Sequence, residues 1–465
     1  MRGWSKAGAF FLRCAVSLLS ESSIVEFFTM NRLIFLCVVF SFSSAGCQQS
    51  QAVSPIDISQ SGISITPIEH ALLDEDWPSW RGRDHTGIAR DQEIPTKWDA
   101  GFNIRWQSPI PGRGHSSPIV IRNVVYLASA NNTEESQNVF AYDRTNGKLL
   151  WSKTVHQGGF PPAKQVHKKG TNANGTLASD GRNLYATFLN SGNILASAIS
   201  LDGSEIWQQE VGGFTSKFGY APSPILYGSS IIVAADNWGV GFIAALDAKT
   251  GKIIWRIIRG DTSSYSSPTI ANVDGRDQLL ISGCGAVTSY DPLTGKEYWR
   301  TPCIAEATCG TVVTDGTCIY ASGGYPETET VCLSSTGEKI WSDSTKIYEP
   351  SMLVSEGSLF AASDNGVAYC WNAKTGDVCW RQRLGGNFSA SPVLCNGLLY
   401  VSNLSGETFV FEATPDEYKL IAQNRIGDDC YASPAFSDGE IFLRVGTGSG
   451  ENRQESLVCI SEKKL

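Results

Sequence analysis

The sequence predicts an all-β chain, an eight-bladed β-propeller built from four-stranded antiparallel blades. Three observations predict it. A nine-residue signature, Asp247-Ala248-Lys249-Thr250-Gly251-Lys252-Ile253-Ile254-Trp255, recurs along the chain, and a Ser-Pro step recurs upstream of most copies. The tryptophans that close the copies, starting from Trp106, lie 45, 56, 48, 44, 42 and 39 residues apart. That is the period of a propeller blade and not of a helical solenoid.

Each signature reads as a β-hairpin. An apolar strand runs into an Asp or Asn whose side chain accepts from turn N–H groups, a Gly takes positive φ, and a second strand ends in Trp. Copies stand at Asp143…Gly147…Trp151, Asp291…Gly295…Trp299 and Asn372…Gly376…Trp380, with shorter turns at Asp202-Gly203…Trp207 and Thr336-Gly337…Trp341. A Trp at one phase of every hairpin reads as a packing knob between neighbouring sheets. The Ser-Pro steps, Ser117-Pro118, Ser223-Pro224, Ser267-Pro268, Ser391-Pro392 and Ser433-Pro434, each precede two short apolar strands.

Counting these units gives eight, from Ser116 to the C-terminus. The last lacks a fourth strand ending in Trp, whereas Ile104-Arg105-Trp106 is a lone strand of that kind. The two chain ends are expected to share one blade, closing the ring and leaving few free sheet edges.

The chain before the first blade divides into two segments. Met30 is the expected true start: Asn31-Arg32 is a positive head, Leu33 to Phe42 an apolar core, and Ser43-Ser44-Ala45-Gly46-Cys47 a small-residue cleavage site. Residues 1–46 therefore read as an export signal and 47–76 as a tether. A flexible chain of that length spans about 28 Å. A short helix near Glu69–Leu73 is a further expectation, one without capping residues to support it. Residues 77–465 form the propeller.

The whole chain carries a formal charge of −9, and without residues 1–46 it has 33 basic and 44 acidic groups, −11. Such an acidic chain is not built to bind nucleic acid or anionic lipid broadly. One stretch departs from this balance. His156 to Thr176, the long connection after the first blade, carries Lys164, His167, Lys168 and Lys169 and no acid. It reads as a partner- or anion-binding loop or as a solvated surface loop.

Ten cysteines lie between Cys284 and Cys459 and none between Gln48 and Gly283. In an exported chain that pattern suggests disulfides. Cys318 with Cys332 and Cys370 with Cys379 lie across predicted hairpins, where directly opposed residues come within bonding range. Burial as small apolar side chains is the competing reading.

Several chemistries lack their motif. The sequence has no Cys-x-x-Cys, no His-Glu-x-x-His and no phosphate-cradling loop ahead of a helix. Gly446–Gly450 lacks the strand-to-helix setting of a nucleophile elbow, and Asn272–Asp277 reads as a turn and not a calcium loop. No catalytic or metal-ligating residue is expected. A ligand site, if present, falls at one mouth of the central channel. There His115, Tyr220, Tyr265, Tyr348, Phe388 and Tyr431 precede the innermost strands. Asn237 and Trp238, which break the repeat in the third blade, are a further candidate.

The signature Asp-x-x-Thr-Gly-Lys-x-x-Trp resembles that of the pyrroloquinoline-quinone-like (PQQ-like) β-propeller repeat family, over roughly Trp77 to the C-terminus. The chain looks most like the non-enzymatic eight-bladed members, including the outer-membrane lipoprotein of the β-barrel assembly machinery. Trp77-Pro78-Ser79-Trp80-Arg81-Gly82 also resembles the opening of secreted planctomycete propeller proteins. Ala45-Gly46-Cys47 resembles a lipobox, with Ser44 where Leu is commoner, which implies lipidation of Cys47. The resemblance implies a non-catalytic binding or scaffold protein of the bacterial envelope, in the periplasm or at the outer membrane, with an envelope protein as partner and no cofactor. The alternatives are a PQQ-dependent alcohol or sugar dehydrogenase using PQQ and calcium, or a small-ligand sensor. Against the dehydrogenase, the vicinal Cys-Cys that covers the quinone in that group is absent from this sequence.

Overall fold

A computed structural model describes residues 62–462. The leader, Cys47 and residues 48–61 lie outside the described residues. Thirty-two strands form eight four-stranded antiparallel sheets. Blades one to seven occupy residues 119–157, 178–213, 225–260, 269–302, 313–343, 353–383 and 393–425. Blade eight joins both ends of the chain: Ile104–Ile110 is its outermost strand, hydrogen-bonded to Gln454–Ser461, with Glu440–Thr447 and Ala435–Ser437 inside. Closure therefore pairs Trp106 with Cys459.

The signature glycines have a role that hairpin chemistry alone does not require. Gly251 has φ +74°, and a Cβ placed on it would stand 2.6 Å from the ring of Trp207 in the preceding blade. The same contact joins Trp106 to Gly147, Trp151 to Gly203, Trp255 to Gly295, Trp299 to Gly337 and Trp341 to Gly376. Each ring lies flat on the next blade's turn, a seat only glycine leaves open. Most of these indoles also donate to a carbonyl of that turn, as Trp106 does to Arg144 O (2.7 Å) and Trp207 to Ala248 O (3.0 Å). At Trp255 the corresponding turn carries Pro292, and the buried Nε1 has no partner among the described residues.

Blade eight is held differently. Glu440 pairs with Arg144 of blade one (2.6 Å) and with Arg105 on the N-terminal strand. At the other end of the blade Arg444, Glu455, Arg453 and Asp429 form a second buried network. Glu455 joins its two arginines and also accepts from Gly114 N. The blade assembled from two chain ends is thus fixed by charge as well as by packing.

Two expectations need correction, and strand register refines a third. Residues 62–76, read as tether, run against the propeller: Thr66 N donates to Ser229 Oγ (2.9 Å) and Ala71 N to Asp180 O (2.8 Å). No helix forms near Glu69–Leu73, because Asp76 accepts from Leu73 N (2.7 Å) in a turn and Ile65 is buried. Neither cysteine pair is directly opposed. Cys332 faces Tyr320, so Cys318 lies two positions along, and Cys370 faces Trp380, with Cys379 the extra residue of a bulge. All ten described cysteines are thiols. Asn272–Asp277 is the tight turn expected, with Asp274 and Gly275 at positive φ.

Candidate functional site

The Ser-Pro steps build the channel wall. Thr176 Oγ1 accepts from Ser117 N (3.0 Å), Ser223 Oγ from Thr176 N (2.9 Å) and Ser267 Oγ from Ser223 N (2.9 Å). On the other side Ser351 Oγ accepts from Thr311 N (3.0 Å), Ser391 Oγ from Ser351 N (2.8 Å), Ser433 Oγ from Ser391 N (2.8 Å) and Ser117 Oγ from Ser433 N (3.0 Å). At seven of the eight interblade steps a short hydroxyl at this position ties one innermost strand to the next. The small side chain is needed for the interblade bond, and where proline follows, as after Ser117, Ser223, Ser267, Ser391 and Ser433, it lacks an N–H that would otherwise need a partner.

The channel inside this ring is filled from one end. Trp77 pairs with Val120 of blade one, Pro78 O accepts from Ser179 N of blade two, and Ile88 pairs with Leu394 of blade seven. Trp80 Nε1 donates to Thr311 Oγ1 of blade five (3.1 Å) and Arg81 Nη2 to Met352 O of blade six (2.7 Å). Residues 77–89 therefore plug the channel, satisfying the inner edges of strands that would otherwise face water. Burial with no carboxylate partner pulls the Arg81 guanidinium down to about 9. The Trp-Pro-Ser-Trp-Arg-Gly opening is this plug.

The opposite mouth lies on the face that carries the interblade connections. Here the basic connection of residues 158–175 crosses from blade one to the far rim. Lys169 Nζ reaches Glu349 Oε1 (2.7 Å), which leads into blade six, and Ser389 donates to the same carboxylate. In a ring of eight, blade six stands opposite blade two, so the connection is a strap over the mouth. Its near end is pinned by His115 N to Ala173 O (2.9 Å) and Asn174 Nδ2 to Tyr220 O (2.9 Å).

The six aromatic and polar candidates separate under this strap. His115 stacks on Tyr431 (4.3 Å, 4°) across the closure seam. Burial, and then Arg113, Arg444, Arg453 and Lys169 around it, hold His115 well below the ordinary histidine range, hence neutral. Its Nε2 has no partner among the described residues. Tyr348 is half-buried beside Cys309, and burial raises both groups, Cys309 to about 12. Lys346 lies over the Tyr348 ring (5.1 Å). Tyr265 packs against Phe218. Tyr220 and Phe388 are core residues: the Tyr220 hydroxyl donates to Ala234 O (3.1 Å), and Phe388 is fully buried against Phe409. Phe388 has no surface to offer a ligand, and Tyr220 very little.

Asn237 and Trp238 also divide. Asn237 is fully buried and caps its own loop, accepting from Thr215 N (3.1 Å) and Gly239 N (2.8 Å), whereas Trp238 is 51% exposed. Sequence reasoning did not reach Lys217 and Phe218 of the connection into blade three, nor Glu349 at the strap's far end. Their local sequence is unremarked by the repeat, and only the ring geometry brings them together.

The carboxylates at the mouth do not fit a calcium ion. Glu349 and Asp364, the carboxylates beside Tyr348, are taken by Lys169 and Lys346. Among the described residues no group of His, Cys, Asp and Glu is arranged to hold a metal.

Comparison with known proteins bears on the fold and the family. The family model described as outer membrane protein assembly factor BamB matches residues 96–211, 135–334 and 327–417. The outer membrane protein assembly factor BamB of Legionella pneumophila is 23% identical over 236 residues, covering 49% of this chain and 51% of its own. The chain thus spans about half the length of this curated relative. Among solved structures, BamB from Moraxella catarrhalis superposes with a TM-score of 0.56 at 14% identity, over 78% of this chain and 98% of that one. Quinohemoprotein alcohol dehydrogenase from Comamonas testosteroni gives 0.58 at 12% identity, over 84% and 81%. At these identities the superpositions establish the propeller and nothing about chemistry.

Proposed function

Because the chain belongs to the PQQ-like repeat family described as outer membrane protein assembly factor BamB, we propose that it is a non-catalytic scaffold of the bacterial cell envelope. In this reading residues 1–46 export it, a lipid on Cys47 holds it at a membrane, and the connection face binds another envelope protein. Its partner is a protein and not nucleic acid, in keeping with a net charge of −9.

One observation carries the reading. The channel, where a propeller enzyme would place its substrate, is plugged from one end by residues 77–89 and strapped at the other by the Lys169–Glu349 pair. What remains is an outer face built of half-buried aromatics and lysines, suited to a macromolecular surface. No specific observation favours the dehydrogenase or the sensor.

The test is photo-crosslinking of the full chain in its own cells, with the reactive residue placed once at Thr215 on the connection face and once at Asp274 on the turn face. A defined envelope protein captured from Thr215 and not from Asp274 is the expected outcome. Capture of nothing, together with stoichiometric uptake of PQQ and calcium by the purified full chain, would reverse the assignment.

A further inference from the structure

Within the connection face, Phe218 and Trp238 are 41% and 51% exposed, two large apolar side chains brought together on one surface. Lys217 lies between them, its Nζ 5.1 Å from the Phe218 ring and 4.7 Å from the Trp238 ring. The strap packs alongside. Ser216 Oγ donates to Gln165 O (2.9 Å) and His167 N to Phe218 O (3.2 Å), which sets Lys164 and Lys168 at the edge of the same patch. Lys164, Lys168 and Lys217 make no ion pair among the described residues.

The patch is held rigidly from beneath. Asp236, next to Asn237, is paired with Arg259 (2.7 Å), and both side chains are buried. Arg259 also donates to the Tyr290 hydroxyl (2.9 Å). A buried ion pair contributes little net stability compared with apolar packing, so its use here goes to fixing a loop. The other seven blades have no tryptophan at the position of Trp238. A preorganised aromatic anchor with cations around it loses little side-chain freedom on binding.

Resting on the scaffold reading, we propose that this patch docks an acidic segment of the partner protein, with an aliphatic or aromatic side chain packed on the exposed surfaces of Phe218 and Trp238 and carboxylates on Lys164, Lys168 and Lys217. Charge complementarity selects the occupant. Three free lysines stand together on a chain of net charge −9, so a short acidic stretch is drawn to them. An extended polyanion such as nucleic acid or an anionic membrane surface would meet the acidic remainder of the protein.

The test is fluorescence anisotropy with a labelled decapeptide alternating Glu and Leu, added to the purified full chain. The same peptide with Gln for Glu, phosphatidylglycerol-containing vesicles and a single-stranded oligonucleotide are titrated alongside. The acidic peptide is expected to bind with an affinity that falls as salt rises. The triple variant K164E/K168E/K217E should weaken it by about tenfold or more, and Trp238→Ala by a similar factor. All four residues are surface groups, and an unchanged thermal melt verifies each variant's fold. Equal binding of the Gln peptide, no effect of either variant, or preference for vesicles or oligonucleotide through these lysines would overturn the proposal. The scaffold reading fails separately. If the Thr215 crosslink still captures its partner in the triple variant, this patch is wrong and the scaffold stands; if no partner is captured from wild-type protein, the scaffold itself falls.

Discussion

Replacing Glu440 by Gln tests how the ring is closed. The carboxylate is buried, 4% exposed, and touches three parts of the chain at once: its own blade, Arg105 on the N-terminal strand and Arg144 in the third-to-fourth strand turn of blade one. Gln keeps the shape and removes the charge. Arg144, itself buried, retains Ser437 O (2.6 Å) and Arg122 O (3.3 Å) as acceptors. Breaking one partner of a buried pair costs about 3–5 kcal/mol. The surviving carbonyls and the partial exposure of Arg105 place Glu440→Gln at the lower end, about 3 kcal/mol. A domain of roughly 400 residues has an unfolding entropy of about 0.8 kcal/mol/K, so the melting temperature should drop by about 4 °C. Hydrogen exchange provides the location: amides of Ile104–Ile110 and Gln454–Ser461 should exchange faster while blades three to five stay protected. The paired variant Arg144→Met/Glu440→Met removes both buried charges and should recover most of the loss. A Glu440→Gln change below about 1 kcal/mol, or faster exchange spread evenly round the ring, would refute charge-fixed closure.

Three further outcomes follow from the same structure. Gly251→Ala drives a Cβ into the Trp207 ring at a φ of +74° and should cost about 2–4 kcal/mol in denaturant unfolding. Gly275→Ala, at +78° with nothing within 4 Å, should cost only about 1 kcal/mol of backbone strain, and equal losses would remove the packing role assigned to the signature glycine. Burial lowers His156 from 6.5 to about 4, so between those values the unfolded chain holds the proton more readily than the folded one. Stability present above pH 6.5 should therefore fall as the pH drops toward 4, by at most about 3 kcal/mol from this group, with His85 adding in the same direction; His156→Gln should flatten the slope, and an unchanged slope would sink the assignment. Cys370 is raised to about 12 by burial, with Cys379 beside it at the bulge contributing next. In an oxidising compartment the two thiols should give up two electrons and two protons to an oxidising disulfide and become bonded, which non-reducing peptide mapping reads directly; both thiols recovered alkylated would count against it.

The candidate site was only partly legible in the sequence. The repeat pointed to the connection-face mouth, and the acid-free run from His156 to Thr176 marked the strap, but not its reach. Lys169 meets a carboxylate 180 positions later, and Trp80 a hydroxyl 231 positions later. No local pattern encodes such a meeting. Phe388 and Tyr431 look equivalent by position, yet one is fully buried against Phe409 and the other stacks on His115 at the seam, a partner more than 300 positions away.

What the sequence determined by itself is the set of local rules repeated eight times. Strand alternation, a glycine at positive φ, a Ser-Pro step and the spacing of tryptophans fix the hairpins, the blade count and the sharing of blade eight by the two chain ends. Each depends on residues close together or on a period that survives any loop between copies. The tertiary structure alone decided that the signature glycine is a seat for the preceding blade's indole, that residues 77–89 fill the channel, and that buried charge clamps the seam. The seat needs two neighbouring blades docked together; the plug and the clamp arise only when the ring closes, since closure is what brings side chains hundreds of residues apart into a space without water, where shape and charge must be matched.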